Sequence, residues 1–185
     1  MTSKIFQLQP FEPIAADTKL SISGKVTLAG TQLTIAYLLS GDLEKVAIAP
    51  PDSKGIRRDR LWEQTCFEFF LAASLAPTAS TPYWEFNLSP SKDWNIFALD
   101  GYRQGLKEEL RLFHLPFDID SQTESIRLKL TMDVSPLVST AQPLQLGISA
   151  VILLETGQQT FWAIAHPEPA ADFHHHQGFV LSLRP

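Results

Sequence analysis

The chain has 185 residues, of which 44% are hydrophobic and 19% are charged. This composition is typical of one globular domain, and we predict a single domain over residues 1–185. The formal net charge is −5. Since nucleic-acid binding depends on many Lys and Arg contacts with phosphates, this charge argues against DNA or RNA as a partner.

The sequence predicts neither a disulfide nor a membrane span. Cys66 is the only cysteine in the sequence, so an intramolecular disulfide and a multi-cysteine zinc site are both excluded. No window approaches the roughly 20 apolar residues of a membrane-spanning helix. The first ten residues lack the apolar stretch of a secretory signal. We therefore expect a cytoplasmic protein with no membrane partner.

In chain order, the dominant pattern is short alternating or β-branched stretches separated by Gly, Pro, Ser and Asp. These stretches predict strands at Thr18–Leu28, Gln32–Ser40, Thr65–Ala72, Tyr83–Ser89, Trp94–Leu99, Ser125–Val134, Leu144–Glu155, Gln159–Ala165 and Gly178–Leu183. Hairpin turns are predicted at Ala29–Thr31 and Thr156–Gln158, because each contains a central glycine.

Helical signal is weak. The stretch Gly101–Leu112 could form a short helix, but Gly105 weakens it and leaves an extended alternative open. One helical turn is predicted at Val134–Val138, with Pro136 near its start. Many strands with little helix predict an all-β fold, an antiparallel β-sandwich of two packed sheets with a jelly-roll or immunoglobulin-like topology.

Three polar residues share a predicted face. Within Thr65–Ala72, alternation places Glu68 on the face opposite the apolar residues suited to the core. Within Tyr83–Ser89, it places Glu85 and Asn87 together on the corresponding polar face. If the two strands pair, the three polar side chains come together beside aromatic rings. This face is either the solvated exterior of the sandwich or a binding surface.

Tryptophans in two loops favour binding. Trp62 follows the charged run Arg57–Arg60, and Trp94 follows the polar turn Ser89–Asp93. Indole rings offer flat apolar faces for stacking on sugars or other planar ligands. The alternative is that each loop tryptophan only covers one end of the sandwich.

Two segments resemble a known family. Leu61–Phe70 (LWEQTCFEFF) and Tyr83–Trp94 (YWEFNLSPSKDW) resemble bacterial DOMON-like domains, which are similar in fold to family 9 carbohydrate-binding modules. Trp162–Pro167 and Asp172–His174 look like the closing segment of that group. The resemblance extends from about Leu20 to Leu183, and it implies a β-sandwich that accommodates a sugar or a haem. The sugar modules are usually secreted parts of larger enzymes, whereas we expect a cytoplasmic location here.

Carried over by position, the resemblance implies that Trp62, Glu63 and Glu68 bind the ligand, with Glu85 and Asn87 beside them. We predict a non-catalytic module that binds a carbohydrate or a related polar small molecule. Aromatic stacking, hydrogen bonding to hydroxyls, and recognition of an acidic substituent are the three roles involved. The predicted ligand-binding set is Trp62 and Trp94 for stacking, Glu63, Glu68, Glu85 and Asn87 for hydroxyls, and Arg57, Arg103 and His166 for an acidic group.

Haem is the first alternative ligand, because haem-binding DOMON domains use a Met and a His as axial ligands. Met132 is the only internal methionine, and it lies in phase with apolar neighbours, which favours a core position. The histidines available as partners are His114, His166, His174, His175 and His176. Our prediction includes no cofactor.

Catalysis and metal binding are the remaining alternatives. Glu68 and Glu85 could serve as the paired carboxylates of a glycosidase. His174, His176 and Asp172 share one parity and could hold zinc or iron, although a surface loop or a pocket wall explains the histidine run more simply. We assign no catalytic residue and no metal ligand.

Overall fold

The structure is a computed structural model that describes residues 1–50, 54–139 and 142–184. Twelve strands lie within these residues. They are β1 (Thr2–Pro10), β2 (Leu20–Ala29), β3 (Gln32–Gly41), β4 (Cys66–Ala72), β5 (Tyr83–Leu88), β6 (Trp94–Leu99), β7 (Lys107–Glu108), β8 (Phe117–Gln122), β9 (Ser125–Asp133), β10 (Leu144–Leu153), β11 (Gln159–Ala163) and β12 (Leu181–Leu183).

The strands form one curled antiparallel sheet. Its order is β7-β6-β5-β4-β10-β11-β1-β2-β3-β9-β8, and β12 pairs with β10. Strand β1 joins the two halves, because Thr2–Leu8 pairs with β2 while Gln9 and Pro10 pair with β11. The predicted all-β antiparallel fold is thus confirmed, whereas the two sheets we expected are joined by β1 into one hydrogen-bonded path.

Helix in the described residues is limited to three short 3-10 turns, at Leu43–Lys45, Leu61–Glu63 and His176–Gly178. None of these is long and apolar enough to cross a membrane. The helix considered at Gly101–Leu112 is wrong, since this stretch contains a turn followed by the two-residue strand β7. Gly105, with φ of +69°, adopts a left-handed conformation that a helix does not allow.

The main core lies between the two halves of the curled sheet. Tyr37 of β3 packs against Phe67 of β4 with ring centroids 5.1 Å apart, and its hydroxyl donates to the Glu68 carbonyl at 2.7 Å. Phe69 stacks on Phe86 at 4.1 Å. Burial of each such ring contributes about 1.5–3 kcal/mol, so the Tyr37–Phe67 contact stabilises the packing of the two halves and the Phe69–Phe86 stack stabilises the β4–β5 pair.

Strand β4 is buried on both faces, and this positions the site. All seven of its residues are buried. One face meets the main core, and the other meets a second apolar cluster that includes Phe70, Tyr83, Phe97 and Phe179. The chain between β11 and β12 covers this second face, where Phe179 packs so closely on Gly147 that a Cβ there would lie 2.7 Å from its ring.

Candidate ligand-binding site

A cavity of about 600 Å³ lies on the second face of β4, away from the main core. This volume is within the range of small-molecule sites. Strands β4, β5, β10 and β11, the 3-10 turn at Leu61–Glu63 and the segments around Arg103 and Phe173 contribute to it. The lining residues are Trp62, Glu63, Glu68, Phe70, Glu85, Leu99, Arg103, Leu106, Val151, Gln159, Phe161, Ala171, Phe173 and His174.

Strand register creates a polar row beneath this cavity. Ser149 of β10 is opposite Glu68, Glu68 is opposite Asn87, and Asn87 is opposite Asn95 of β6. Directly opposed residues of antiparallel strands project to the same face. Four polar residues therefore cross the sheet side by side, and all of them are buried.

Glu68 is a buried carboxyl with an incomplete set of partners. The residue is only 2% exposed. Its Oε2 accepts a long hydrogen bond of 3.5 Å from the Ser149 hydroxyl, and its Oε1 has no partner among the described residues. Burial raises the pKa of Glu68 well above its usual value, and the nearby Glu85 adds to the rise.

Glu85 is the second carboxyl at the cavity floor and is 5% exposed. Its Oε1 accepts a hydrogen bond of 2.8 Å from the Asn87 amide, and its Oε2 lies 3.8 Å from His174 Nε2. Burial raises the pKa of Glu85, while the Asn87 amide and the charge of Arg103 oppose that rise. The two glutamates are thus inequivalent, because Glu85 has the better hydrogen-bonding partners.

His174 closes one side of the cavity in its neutral form. Burial lowers its pKa to about 4, with a smaller contribution from the charge of Arg103. The Tyr83 oxygen accepts the Arg103 backbone N–H at 3.3 Å and lies 2.9 Å from His174 Nδ1. The two ring nitrogens of His174 thus face different partners, Nδ1 the Tyr83 hydroxyl and Nε2 the Glu85 carboxyl.

Arg103 reaches the cavity with its charge already paired. Its Nη2 donates to Asp172 Oδ1 at 2.9 Å, and the Tyr102 hydroxyl donates to Asp172 Oδ2 at 2.5 Å. Arg103 adopts a left-handed backbone conformation with φ of +53°. Such a conformation is uncommon for a non-glycine residue, and here it accompanies a side chain held at the cavity.

Aromatic side chains form the walls above the carboxyls. Trp62 packs edge-on against Phe97 with centroids 5.8 Å apart, and its carbonyl accepts from Gln159 Nε2 at 3.1 Å. Phe161 and Phe173 pack edge-on at 6.1 Å. A second cavity of about 450 Å³ has Gln159, Phe161 and Ala171 in common with the first, so the two openings adjoin.

The structure brings together five of the predicted ligand-binding residues. Trp62, Glu63, Glu68, Glu85 and Arg103 all line the one cavity. Asn87 lies beside them and orients Glu85 through the hydrogen bond described above. Glu63 lies at the rim, where Arg60 Nε donates to its carboxylate at 2.9 Å.

The structure places Trp94 and Arg57 away from this cavity. Trp94 is 3% exposed and belongs to the main core, since it is opposite the core residue Leu88. The Arg57 guanidinium lies 4.3 Å from the centre of the Trp94 ring and donates to Asn95 Oδ1 at 2.7 Å. The strand parity of Trp94 already indicates this position, and our sequence interpretation overlooked it.

His166 is also separate from the cavity. Its Nε2 lies 2.8 Å from the Gln9 carbonyl oxygen, and its ring packs edge-on against Phe11 with centroids 5.3 Å apart. These contacts hold the end of β1 against the chain that follows β11. Of the three residues predicted to recognise an acidic group, only Arg103 therefore lies at the cavity.

Sequence reasoning left several cavity residues out of the predicted set. His174 and Phe173 lie in the closing segment Asp172–His174, which the family resemblance highlighted without giving it a role. Gln159 and Phe161 lie in a predicted strand, but which of its faces meets the cavity depends on pairing with β10. Only the structure shows that the chain after β11 folds back over the face of β4.

The residues considered for haem and metal binding lie in other settings. Met132 belongs to the main core at 6% exposure. His174 contacts Tyr83 and Glu85, whereas His175 pairs with Glu168 at 3.2 Å. In the described ranges no group of three or more His, Cys, Asp or Glu side chains has the arrangement of a metal site.

Comparison with known proteins finds solved structures that resemble this chain, but no related sequence. No family model matches the sequence, and no curated protein sequence matches it significantly. A candidate carbohydrate-binding protein from Bacteroides uniformis superposes with a TM-score of 0.62 at 18% identity, covering 94% of this chain and 84% of that one. The chain therefore shares its fold with that protein.

Two further neighbours support this fold assignment. Both are family 9 carbohydrate-binding modules from Caldicellulosiruptor kristjanssonii with a TM-score of 0.53. The one in complex with cellotriose is 8% identical and covers 96% of this chain and 82% of that one. The one in complex with glucose is 10% identical and covers 92% and 78%. At these identities the likeness describes the fold alone.

Proposed function

We propose that the protein is a non-catalytic carbohydrate-binding module and that the cavity around Glu68 and Trp62 is its binding site. The observation that carries the proposal is the buried Glu68 carboxyl at the floor of an aromatic-walled cavity, because its Oε1 has no hydrogen-bond partner in the described part of the chain. A buried polar group without a hydrogen bond is costly, and a sugar hydroxyl donating to it would remove that cost.

The surrounding side chains suit a sugar. The C–H faces of a sugar ring are apolar and can pack on Trp62, Phe161 or Phe173, while its hydroxyls can donate to Glu68 and Glu85 and accept from Arg103. The adjoining second cavity offers room for a further sugar unit. The glucose and cellotriose complexes of the structural neighbours support the same ligand class.

Calorimetric titration with neutral and charged mono- and disaccharides tests this proposal. We expect at least one sugar to bind, and Trp62→Ala to weaken its Kd about tenfold or more, which corresponds to about 1.4 kcal/mol of lost ring contact. Phe113→Ala is the matched control, because Phe113 is 88% exposed and lies outside the cavity lining. Equal affinity of the two variants, or no binding of any sugar, would contradict the proposal.

A glycoside-processing enzyme is the second candidate, favoured by the presence of two buried carboxyls with raised pKa values in one cavity. A glycosidase needs one protonated acid and one ionised base or nucleophile. Turnover of chromogenic glycosides that disappears in both Glu68→Gln and Glu85→Gln would support this candidate.

Membership of the DOMON-like domains, a two-sheet sandwich and a cytoplasmic location stay predictions from the sequence.

A further inference from the structure

The charges around the cavity are unequally compensated. Glu63 at the rim pairs with Arg60, and Arg103 pairs with Asp172. In the part of the chain that the structure describes, neither Glu68 nor Glu85 forms an ion pair with an arginine. The basic side chain nearest to Glu85 is His174, and its lowered pKa of about 4 keeps it neutral at physiological pH.

Among the described residues, the two carboxyls at the cavity floor therefore have no cation in an ion pair with them. Burial raises the pKa of both carboxyls, which favours their protonated forms when no cation is nearby. A cationic ligand group would favour their ionised forms. A carboxylate or phosphate on the ligand would gain no charge attraction from the pair, so the pair favours a cationic group over the acidic substituent expected from the sequence.

The aromatic side chains around this pair favour the same kind of group. Trp62, Phe70, Phe161 and Phe173 all line the cavity. The face of an aromatic ring carries partial negative charge and attracts an ammonium group placed over it, most strongly where water is excluded. Aromatic faces together with buried carboxylates are the combination by which proteins bind organic ammonium ions.

We propose that the ligand of this site carries a protonated amine, and specifically that it is an amino sugar. The inference rests on the proposed carbohydrate-binding function and narrows its ligand class. An ammonium group has three N–H donors. It can donate to the unpartnered Glu68 Oε1 and to Glu85 together, and charge-assisted hydrogen bonds of this kind are about twice as strong as neutral ones.

The test compares glucosamine, N-acetylglucosamine and glucose by calorimetric titration at neutral pH. Acetylation removes the positive charge while it keeps nitrogen at the same ring position. We expect glucosamine to bind about tenfold or more tightly than the two neutral sugars. Comparable affinity for all three, or binding of none of them when another sugar binds, overturns the inference and leaves the carbohydrate-binding proposal standing, whereas no binding of any sugar overturns both.

Two variants assign the preference to the acidic pair. Glu68→Gln and Glu85→Gln keep the side-chain shape and remove one charge each, so each should lower the preference for glucosamine over glucose. Glu124→Gln, in the exposed turn between β8 and β9, is the matched control and should preserve the preference. A preference for glucosamine that survives in both cavity variants, each folded by circular dichroism, contradicts the assigned role of the pair.

Discussion

Substitution of Glu68 by Gln should change how the stability of the protein depends on pH. The folded-state pKa of Glu68 is raised by burial and by Glu85, whereas an unfolded glutamate has a pKa of about 4.3. At a pH between these two values, the Glu68 carboxyl is ionised in the unfolded chain and still protonated in the folded chain. Unfolding then releases a proton. The contribution of protonated Glu68 to stability is therefore fully present below the unfolded pKa and is lost as pH rises toward the folded-state pKa.

The size of this effect follows from proton linkage. One carboxyl that is protonated only in the folded state lowers the free energy of unfolding by about 1.4 kcal/mol per pH unit. Glutamine cannot ionise, and its shape matches that of the protonated acid. The stability gain of Glu68→Gln over wild type should therefore increase by up to about 1.4 kcal/mol per pH unit from about pH 5, until the folded-state pKa is reached.

Urea unfolding followed by tryptophan fluorescence at several pH values measures this gain. Glu124→Gln is again the control, because its side chain is exposed and its substitution should leave the pH slope of wild type unchanged. Parallel stability curves for wild type and Glu68→Gln would refute the reasoning. They would mean that Glu68 has the same proton affinity in the folded and unfolded chains.

Three further predictions concern other parts of the molecule. Gly24→Ala should destabilise the protein by about 1–3 kcal/mol in urea unfolding, because the new Cβ would lie 2.1 Å from the Ala36 carbonyl oxygen. An unchanged urea midpoint would show that β2 and β3 can move apart at no cost in stability. Trp94→Phe should lower the free energy of unfolding by about 1–3 kcal/mol and leave the sugar affinity unchanged. A loss of sugar affinity in the folded variant would show that Trp94 contributes to ligand binding. His174 has a folded-state pKa of about 4, below the unfolded value of 6.5, so this residue should lower the stability of wild type relative to His174→Gln by on the order of 3 kcal/mol as pH falls through this interval. His174→Gln should lack that loss, as measured by thermal unfolding across the interval, and equal losses in the two proteins would contradict the buried neutral imidazole.

The sequence by itself determined the polar face of the site and nine of the twelve strands in the described residues, while β1, β7 and β8 were not predicted. Alternation in β4 and β5 places Glu68, Glu85 and Asn87 on one face, and the observed register confirms this placement. Short alternating segments separated by turn residues were also sufficient to predict an all-β fold. Both conclusions depend on local geometry, because successive side chains of a strand point to opposite faces whatever surrounds the strand.

The closure of the site was decided only by the tertiary structure. Alternation cannot tell a solvated face from a covered one, and β4 has a second buried face because the chain after β11 returns across it and brings His174 and Phe173 over Glu85 and Phe70. Likewise, β1 becomes the link between the two halves of the sheet only through pairing with both β2 and β11. These contacts join residues far apart in the chain, and the burial that raises the pKa of Glu68 arises from them.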